Sequence, residues 1–245
     1  EDNNMTKIYS LNSDVKFPDM EHYDMGKASD MALYLAHCDF YPFRSVIENN
    51  KIALDAIDES YRNLAEEARL KNAELIRQAC GDKIQVIYIS GTDFGTQNGP
   101  FMSLDSFREF YKPYYKRIND WVHKNTNWKT FYHTCGAVMT FLQDFYEAGM
   151  DILNPVQLSA KGMDGKILKE EWGDKFVFWG GGIDTQHTLP FGTPDEVYQE
   201  VRERLELFSK GGGFIFNTTH NIQSPTSAEN MLAMFQAVED FKNTK

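Results

Sequence analysis

The sequence predicts an α/β protein of repeated βα units, a (β/α)₈ barrel. Three observations carry the prediction. From residue 83 onward short β-rich runs alternate with helical patterns, each boundary marked by Gly, Pro or a capping residue. Each run is apolar enough to be buried on both faces, as strands of a parallel sheet are. No glycine-rich phosphate loop follows any of them, which separates the pattern from a doubly wound sheet.

In order, the first thirty residues (1–30) are polar and irregular, with only "KIYSL" resembling a strand, and a barrel domain is expected over 31–245. "MALYLAHCDF" (31–40) reads as a strand, followed by a long helix through "LDAIDESYRNLAEEARLKNAELIRQAC", rich in Ala, Glu, Leu and Arg. Five further runs follow: "IQVIYIS" (84–90), "WKTFYHT" (128–134), "DILNPVQ" (151–157), "FVFWGG" (176–181) and "FIFNTT" (214–219). The helix starting near Ser103 contains Pro113, which has no N–H to give, so a kink or break is expected there. Its aromatic stripe, Phe107, Phe110, Tyr111, Tyr114 and Tyr115, has helical spacing and reads as core. A short helix from about Val138 ends at Gly149, a left-handed cap. After Thr193-Pro194 an acidic first turn leads into Val197, Val201, Leu205 and Phe208, and the glycines at 211–213 stop that helix. The last helix opens with Thr226 and Glu229 at capping-box spacing and is expected to bury Met231, Leu232, Phe235 and Val238. The count is six strands and a doubtful seventh where a closed barrel needs eight. Either strands escape the count or the chain lacks the barrel's beginning.

The totals bound the function. A chain of 245 residues with 42% hydrophobic content suits one large domain. A net charge of -11, from 36 acidic against 25 basic residues, disfavours nucleic acid and anionic membranes as partners. Cys38, Cys80 and Cys135 are widely spaced and do not form a disulfide scaffold. No apolar run reaches the length of a membrane span, and "EDNNMTKIYS" lacks the features of an export signal. A reducing cytoplasm is the expected location.

In a barrel the C-terminal strand ends carry the chemistry. Polar groups cluster there: Asp93 and Gln97 after the first of the five runs, His133 and Cys135 at the second, Asn154 and Gln157 at the third. Asp184 and Gln186 follow the fourth, and His220 with Asn221 the fifth. Asn154, Gln157 and Gln186 would also serve simply as partners for loop backbone. His133 and Cys135 are two apart, so on a strand they share a face, and a soft sulfur with a borderline nitrogen suits zinc. Cysteines also commonly just fill cores, so this spacing alone leaves both readings open. His220 offers a third donor at the same rim, leaving one coordination position open as in catalytic zinc sites. His37 is a candidate to enter the pocket from the end of its own strand. His22, His123 and His187 read as surface residues, and Cys80 as a helix-end filler.

The stretches "GTDFGTQNGPFMSLDSFREFYKPYYKRI", "FYHTCGAV", "EAGMDILNPVQLSAKGMD", "FWGGGIDTQHTLPFGTPDEV" and "GGGFIFNTTHNIQSPTSAENMLAMFQAV" resemble the uroporphyrinogen decarboxylase superfamily over roughly residues 83 to 242. The resemblance is closest to its methyltransferase-like branch, which includes zinc enzymes that move methyl groups between a corrinoid and a thiol. It implies a (β/α)₈ barrel with the site at the C-terminal rim. In those enzymes a His-x-Cys pair and a later cysteine bind zinc; His133 and Cys135 match the pair, and His220 stands where the later cysteine would be. The expectation that follows is zinc-dependent methyl transfer to or from a thiol or methoxy compound, with zinc and a corrinoid as cofactors. Asp93 and Asp184 are the catalytic candidates, and Gln97, Asn154, Gln157, Gln186 and His37 the substrate-binding ones. The partners expected are a small-molecule substrate, a corrinoid protein and a second copy in a homodimer. Metal-free decarboxylation of a carboxylated substrate and a non-catalytic binding role are the alternatives. Family members begin earlier and run longer, which implies a fragment or shortened chain.

Overall fold

The computed structural model describes residues 67–244, and the chain divides at Gly81 into two units, 1–81 and 82–245. The strand expected at 31–40, with His37, and the boundary expected at residue 30 lie outside the described residues. Of the long helix expected after that strand, 67–80 is described and is helical.

The second unit is an arc of parallel strands in chain order, with helices packed on one face. The strands are β1 (Val86–Ser90), β2 (Lys129–His133), β3 (Ile152–Asn154), β4 (Val177–Trp179) and β5 (Phe214–Ile215), and each pairs with the next. Every pairing is parallel. This is the strand order of consecutive units of a (β/α)₈ barrel. The ladders end sooner than the apolar runs do. β3 stops at Asn154 because Pro155 has no N–H to offer a neighbouring strand.

The helices are α1 (Leu104–Phe110), α2 (Lys112–Asn125), α3 (Leu142–Glu147), α4 (Gly165–Trp172), α5 (Thr188–Phe191), α6 (Pro194–Phe208) and α7 (Ala228–Asn243). α1 and α2 are separated at Tyr111, with Pro113 inside the first turn of α2, where its missing N–H costs nothing. Gly149, at φ +83°, follows α3 in the left-handed region. Thr193 and Glu196 form the reciprocal capping box of α6, which buries Val197, Val201, Leu205 and Phe208.

α7 departs from expectation. Its cap is Ser227, whose hydroxyl accepts from Asn230 N, and not Thr226. Its buried face is Asn230, Met234 and Ala237, while Leu232 and Phe235 are 69% and 58% exposed. The reason is polar. Asn230 Nδ2 donates to Leu189 O at 2.9 Å and Gly192 O at 2.8 Å, and these bonds fix the helix phase so that this stripe meets α6.

Alternate residues of each strand point to opposite faces. In β2, Thr130 and Tyr132 are buried against the helices, where Tyr132 Oη donates to Asn119 Oδ1 of α2 at 2.9 Å. Phe131 and His133 therefore face the interior of the arc. Phe131 lies between Tyr88 of β1 and Trp179 of β4, with ring centroids 5.8 and 5.2 Å away, so the rings form an aromatic layer one step below His133. On the helix side, Phe94 packs edge-on against Phe107 and Tyr111 at 5.1 and 4.9 Å. Asp144, buried on α3, takes Arg108 Nε at 3.0 Å and Lys112 Nζ at 2.7 Å and ties α3 to the helices before it. Among the described residues no helix is long and apolar enough to cross a membrane.

Candidate metal centre

The site begins with two glycines. After β1 the chain turns through Asp93, Phe94 and Gly95, and Phe94 is fully buried in the aromatic core. Its N–H donates to Thr134 Oγ1 at 2.9 Å, which anchors the turn to the end of β2. Gly95 then lies directly on Gly136: a Cβ on Gly95 would fall 2.5 Å from Ala137 N, and one on Gly136 would collide with Gly95 itself. The approach is closed by Ala137 N donating to Thr96 O at 2.8 Å. Only glycines allow it, and it carries Asp93 to Cys135 across 42 positions of sequence.

Asp93 Oδ1 accepts the Cys135 backbone N–H at 2.7 Å. His133 Nε2 lies 3.4 Å from Cys135 Sγ and 3.9 Å from Asp93 Oδ1. One donor atom from each of Asp93, His133 and Cys135 lies within 4.8 Å of the other two. Burial first, and the adjacent Asp93 carboxylate second, push the Cys135 thiol up to about 11.

A girdle of amides surrounds this group. His133 Nδ1 is 2.8 Å from Asn154 Oδ1, and Asn154 Nδ2 donates to Trp179 O at 2.8 Å. Gln157 Oε1 accepts from Gly136 N at 2.8 Å, while its Nε2 donates to Gln97 Oε1 at 2.8 Å. Gln97 donates onward to Ser159 O, and Ser159 Oγ donates to Gln186 Oε1 at 3.3 Å. Amides expected at three strand ends thus surround the cluster, Gln97, Gln157 and Gln186 linked through Ser159 and Asn154 set on His133.

Two expected members lie elsewhere. Asp184 Oδ1 accepts Gln186 N at 2.6 Å and its Oδ2 is 3.2 Å from His187 Nδ1, so the carboxylate is turned onto its own loop. It borders an open cavity of about 720 Å³ with His187, Phe191, Glu196, Glu200 and Arg204. His220 Nδ1 is 3.2 Å from Asn221 O and 3.4 Å from Gln223 Nε2, and His220 is not in the Asp93, His133, Cys135 group. The third potential donor atom beside His133 and Cys135 is a carboxylate oxygen of Asp93.

Tyr88, Thr134 and Ser159 contribute without having been singled out from sequence. Burial, then the Asp93 carboxylate, hold the Tyr88 phenol above its ordinary value, and a Cβ at Gly91 would collide with the Tyr88 hydroxyl. The available signal for Tyr88 was its strand phase, which it shares with Phe131 across the ladder.

The donor set fits zinc. Tetrahedral zinc, with nitrogen and oxygen near 2.0 to 2.2 Å and sulfur near 2.3 Å, sets ligand edges of roughly 3.6 Å for N···S and roughly 3.4 Å for N···O. The observed edges of 3.4 and 3.9 Å lie close to these. Three protein donors leave a fourth position for an exogenous ligand.

A family model described as uroporphyrinogen decarboxylase (URO-D) matches residues 59–241. A uroporphyrinogen decarboxylase from Pseudoalteromonas translucida (strain TAC 125) is 34% identical over 73 residues, 30% of this chain and 20% of that protein. Among solved structures, a methyltransferase from Methanosarcina mazei superposes with a TM-score of 0.55 at 26% identity, covering 77% of this chain and 50% of the other. The chain thus spans about half the length of that methyltransferase. With the family model matching well over half of its residues and the parallel βα arc to house them, the chain belongs to the uroporphyrinogen decarboxylase family.

Proposed function

We propose that this chain carries the metal centre of a zinc-dependent methyltransferase, which moves a methyl group between a corrinoid, free or protein-bound, and a thiol or methoxy compound. The observation that carries the reading is the convergence of Asp93, His133 and Cys135 at the C-terminal end of β2. The likeness to a methyltransferase structure supports the same choice.

Each residue has a task. Cys135, His133 and Asp93 would hold the cation, and Asp93 also fixes the Cys135 backbone. Zinc, when bound, lowers the pKa of a coordinated thiol enough to keep it as the nucleophilic thiolate at neutral pH. A corrinoid would supply or take up the methyl group. Gln97, Gln157 and Gln186, tied to one another and to Ser159, present neutral donors and acceptors that orient a substrate at the rim. Tyr88, Phe131 and Trp179 form an aromatic layer beneath the cluster.

Decarboxylation has support from the family's name and from the Pseudoalteromonas relative. That chemistry calls for cations to hold substrate carboxylates, whereas the network around Cys135 is built of carboxamides, a hydroxyl and backbone groups. Methyl transfer therefore suits these residues better.

The test is metal content followed by turnover. Chain purified without chelator is expected to hold about one zinc and to lose it on Cys135→Ala. Zinc-loaded chain with methylcobalamin and a simple thiol should consume the methylcobalamin absorbance, and the same sample without zinc should not. Native chain that binds zinc no more tightly than Cys135→Ala would sink the proposal.

A further inference from the structure

We infer that Asn154 is a positioning residue that decides which nitrogen of His133 carries the proton, and so presents the Nε2 lone pair to Asp93 and Cys135. The inference starts from the ladder. His133 and Asn154 are direct partners across the β2–β3 pairing, so their side chains rise from the same face at the same height. The amide is oriented by its other neighbour. Trp179 O, 2.8 Å from Asn154 Nδ2, is a carbonyl and can only accept, so the amino group must point to it. A flipped amide would set two oxygens against each other. The amide oxygen is then the atom 2.8 Å from His133 Nδ1, and that oxygen carries no proton, so the ring nitrogen must supply one. A neutral imidazole with its proton on Nδ1 has its lone pair on Nε2, the atom 3.4 Å from Cys135 Sγ and 3.9 Å from Asp93 Oδ1.

Two further features support this role. The amide is committed at both ends and Asn154 is only 9% exposed, so little of it remains to meet a substrate. Gly180, next to Trp179, sits at φ +94°, and a Cβ there would press to 3.3 Å from Asn154 Nδ2. The glycine keeps open the space that the amide needs. Histidines that bind metals commonly give their second nitrogen to such a partner, and loss of that partner costs about 10- to 100-fold in metal affinity.

The assignment of the proton stands without any metal; its consequence for zinc rests on the proposed function. The experiment therefore reads both. Two-bond ¹H–¹⁵N correlation spectra of ¹⁵N-histidine-labelled, metal-free chain are recorded well above the ordinary histidine range, with the His133 signals assigned by their loss in His133→Gln. Native His133 is expected as the Nδ1–H form. Asn154→Leu should shift it toward Nε2–H, and Asn154→Asp, which keeps an acceptor, should restore Nδ1–H. An Nε2–H signal in the native chain overturns the inference with no variant needed, and so does an unchanged signal in folded Asn154→Leu. In parallel, zinc titration is expected to show about 10- to 100-fold weaker binding by Asn154→Leu than by native chain, with recovery in Asn154→Asp. If native chain binds no zinc while its His133 is Nδ1–H and shifts in Asn154→Leu, the methyltransferase reading fails and the role of Asn154 stands. If zinc binds native and Asn154→Leu equally, the positioning role is overturned.

Discussion

Replacing Gly136 with alanine tests how the site is assembled, because the substitution carries two separable costs. Gly136 sits at φ +86°, a left-handed conformation that costs a residue with a Cβ about 1–2 kcal/mol. In addition the new Cβ would strike the Gly95 carbonyl group, which is backbone and cannot swing aside as a side chain can. Overpacking of this kind costs about 1–3 kcal/mol. Gly211 supplies the control: its φ is +72°, and an added Cβ would have nothing within 4 Å. Gly211→Ala is thus expected to lose about 1–2 kcal/mol from backbone strain alone, and Gly136→Ala about 2–5 kcal/mol. Urea unfolding followed by tryptophan fluorescence measures both, through midpoint shifts at constant slope. A second readout separates stability from site geometry. Pushing Gly95 away from Gly136 withdraws Asp93 from Cys135, so Gly136→Ala should bind zinc more weakly while Gly211→Ala binds it as native does. Equal midpoints and equal zinc affinities in the two variants would refute the claim that the Gly95–Gly136 contact builds the cluster.

Four further outcomes are expected. In metal-free chain at neutral pH, Cys135, with its thiol at about 11, should be alkylated by iodoacetamide on the order of a hundred-fold more slowly than a free cysteine. Asp93→Asn should speed that reaction and weaken zinc binding at an unchanged urea midpoint, whereas simple loosening of the fold would lower the midpoint as well. Asp151 gives a pH signature: burial, the largest influence, raises its pKa, but the Thr130 N–H, His123 and Lys129 outweigh it and hold the carboxyl below its ordinary value. A depressed folded pKa stabilises above the unfolded value of about 3.9 and is lost as pH falls through the folded one. The stability gap between native and Asp151→Asn should therefore close on acidification, as followed by thermal midpoints against pH, and a gap that widens would contradict the sign. Finally, His220→Ala should leave zinc affinity unchanged, and a large loss there would move the third donor back to the imidazole.

How much of this was legible in sequence follows from the range of each interaction. The strands were legible because a strand of a parallel sheet packed on its faces is a mainly apolar run, as β4 is. Their ends were not, since the expected runs carry on through Pro155–Gln157 and Gly180–Gly181 beyond the last residue of β3 and β4, with Gly180 N still donating to Ile215 O. The phase of α7 was misjudged because the helix carries two stripes, and the more apolar one, with Leu232 and Phe235, is not the buried one. Two bonds from Asn230 to the α5 segment decide between them, and such bonds leave no periodic trace. His133 and Cys135 could be paired by strand geometry, being neighbours on one face. Asp93 could not be placed as their third partner, because its approach depends on two backbones crossing at glycine. The usable signal was the repeated pattern of a donor followed closely by glycine, Asp93 before Gly95 and Cys135 before Gly136.

A carboxylate in the third position changes the chemistry of the cluster as well as its geometry. An imidazole beside Cys135 would add no negative charge, whereas Asp93 opposes ionisation of the thiol and, with burial, keeps it protonated at neutral pH. The metal-free cluster thus stores a proton on Cys135 that a cation must displace, since only the thiolate is a metal ligand. Binding should then release about one proton per zinc and tighten as pH rises toward the thiol's value. Calorimetric zinc titrations in buffers of different ionisation enthalpy count that proton directly. Cys135→Ser, which leaves Asp93 and His133 in place, should bind weakly and release none. Zinc binding by native chain without proton release would mean that the thiol is not a ligand, and the centre would have to be rebuilt from Asp93 and His133 alone.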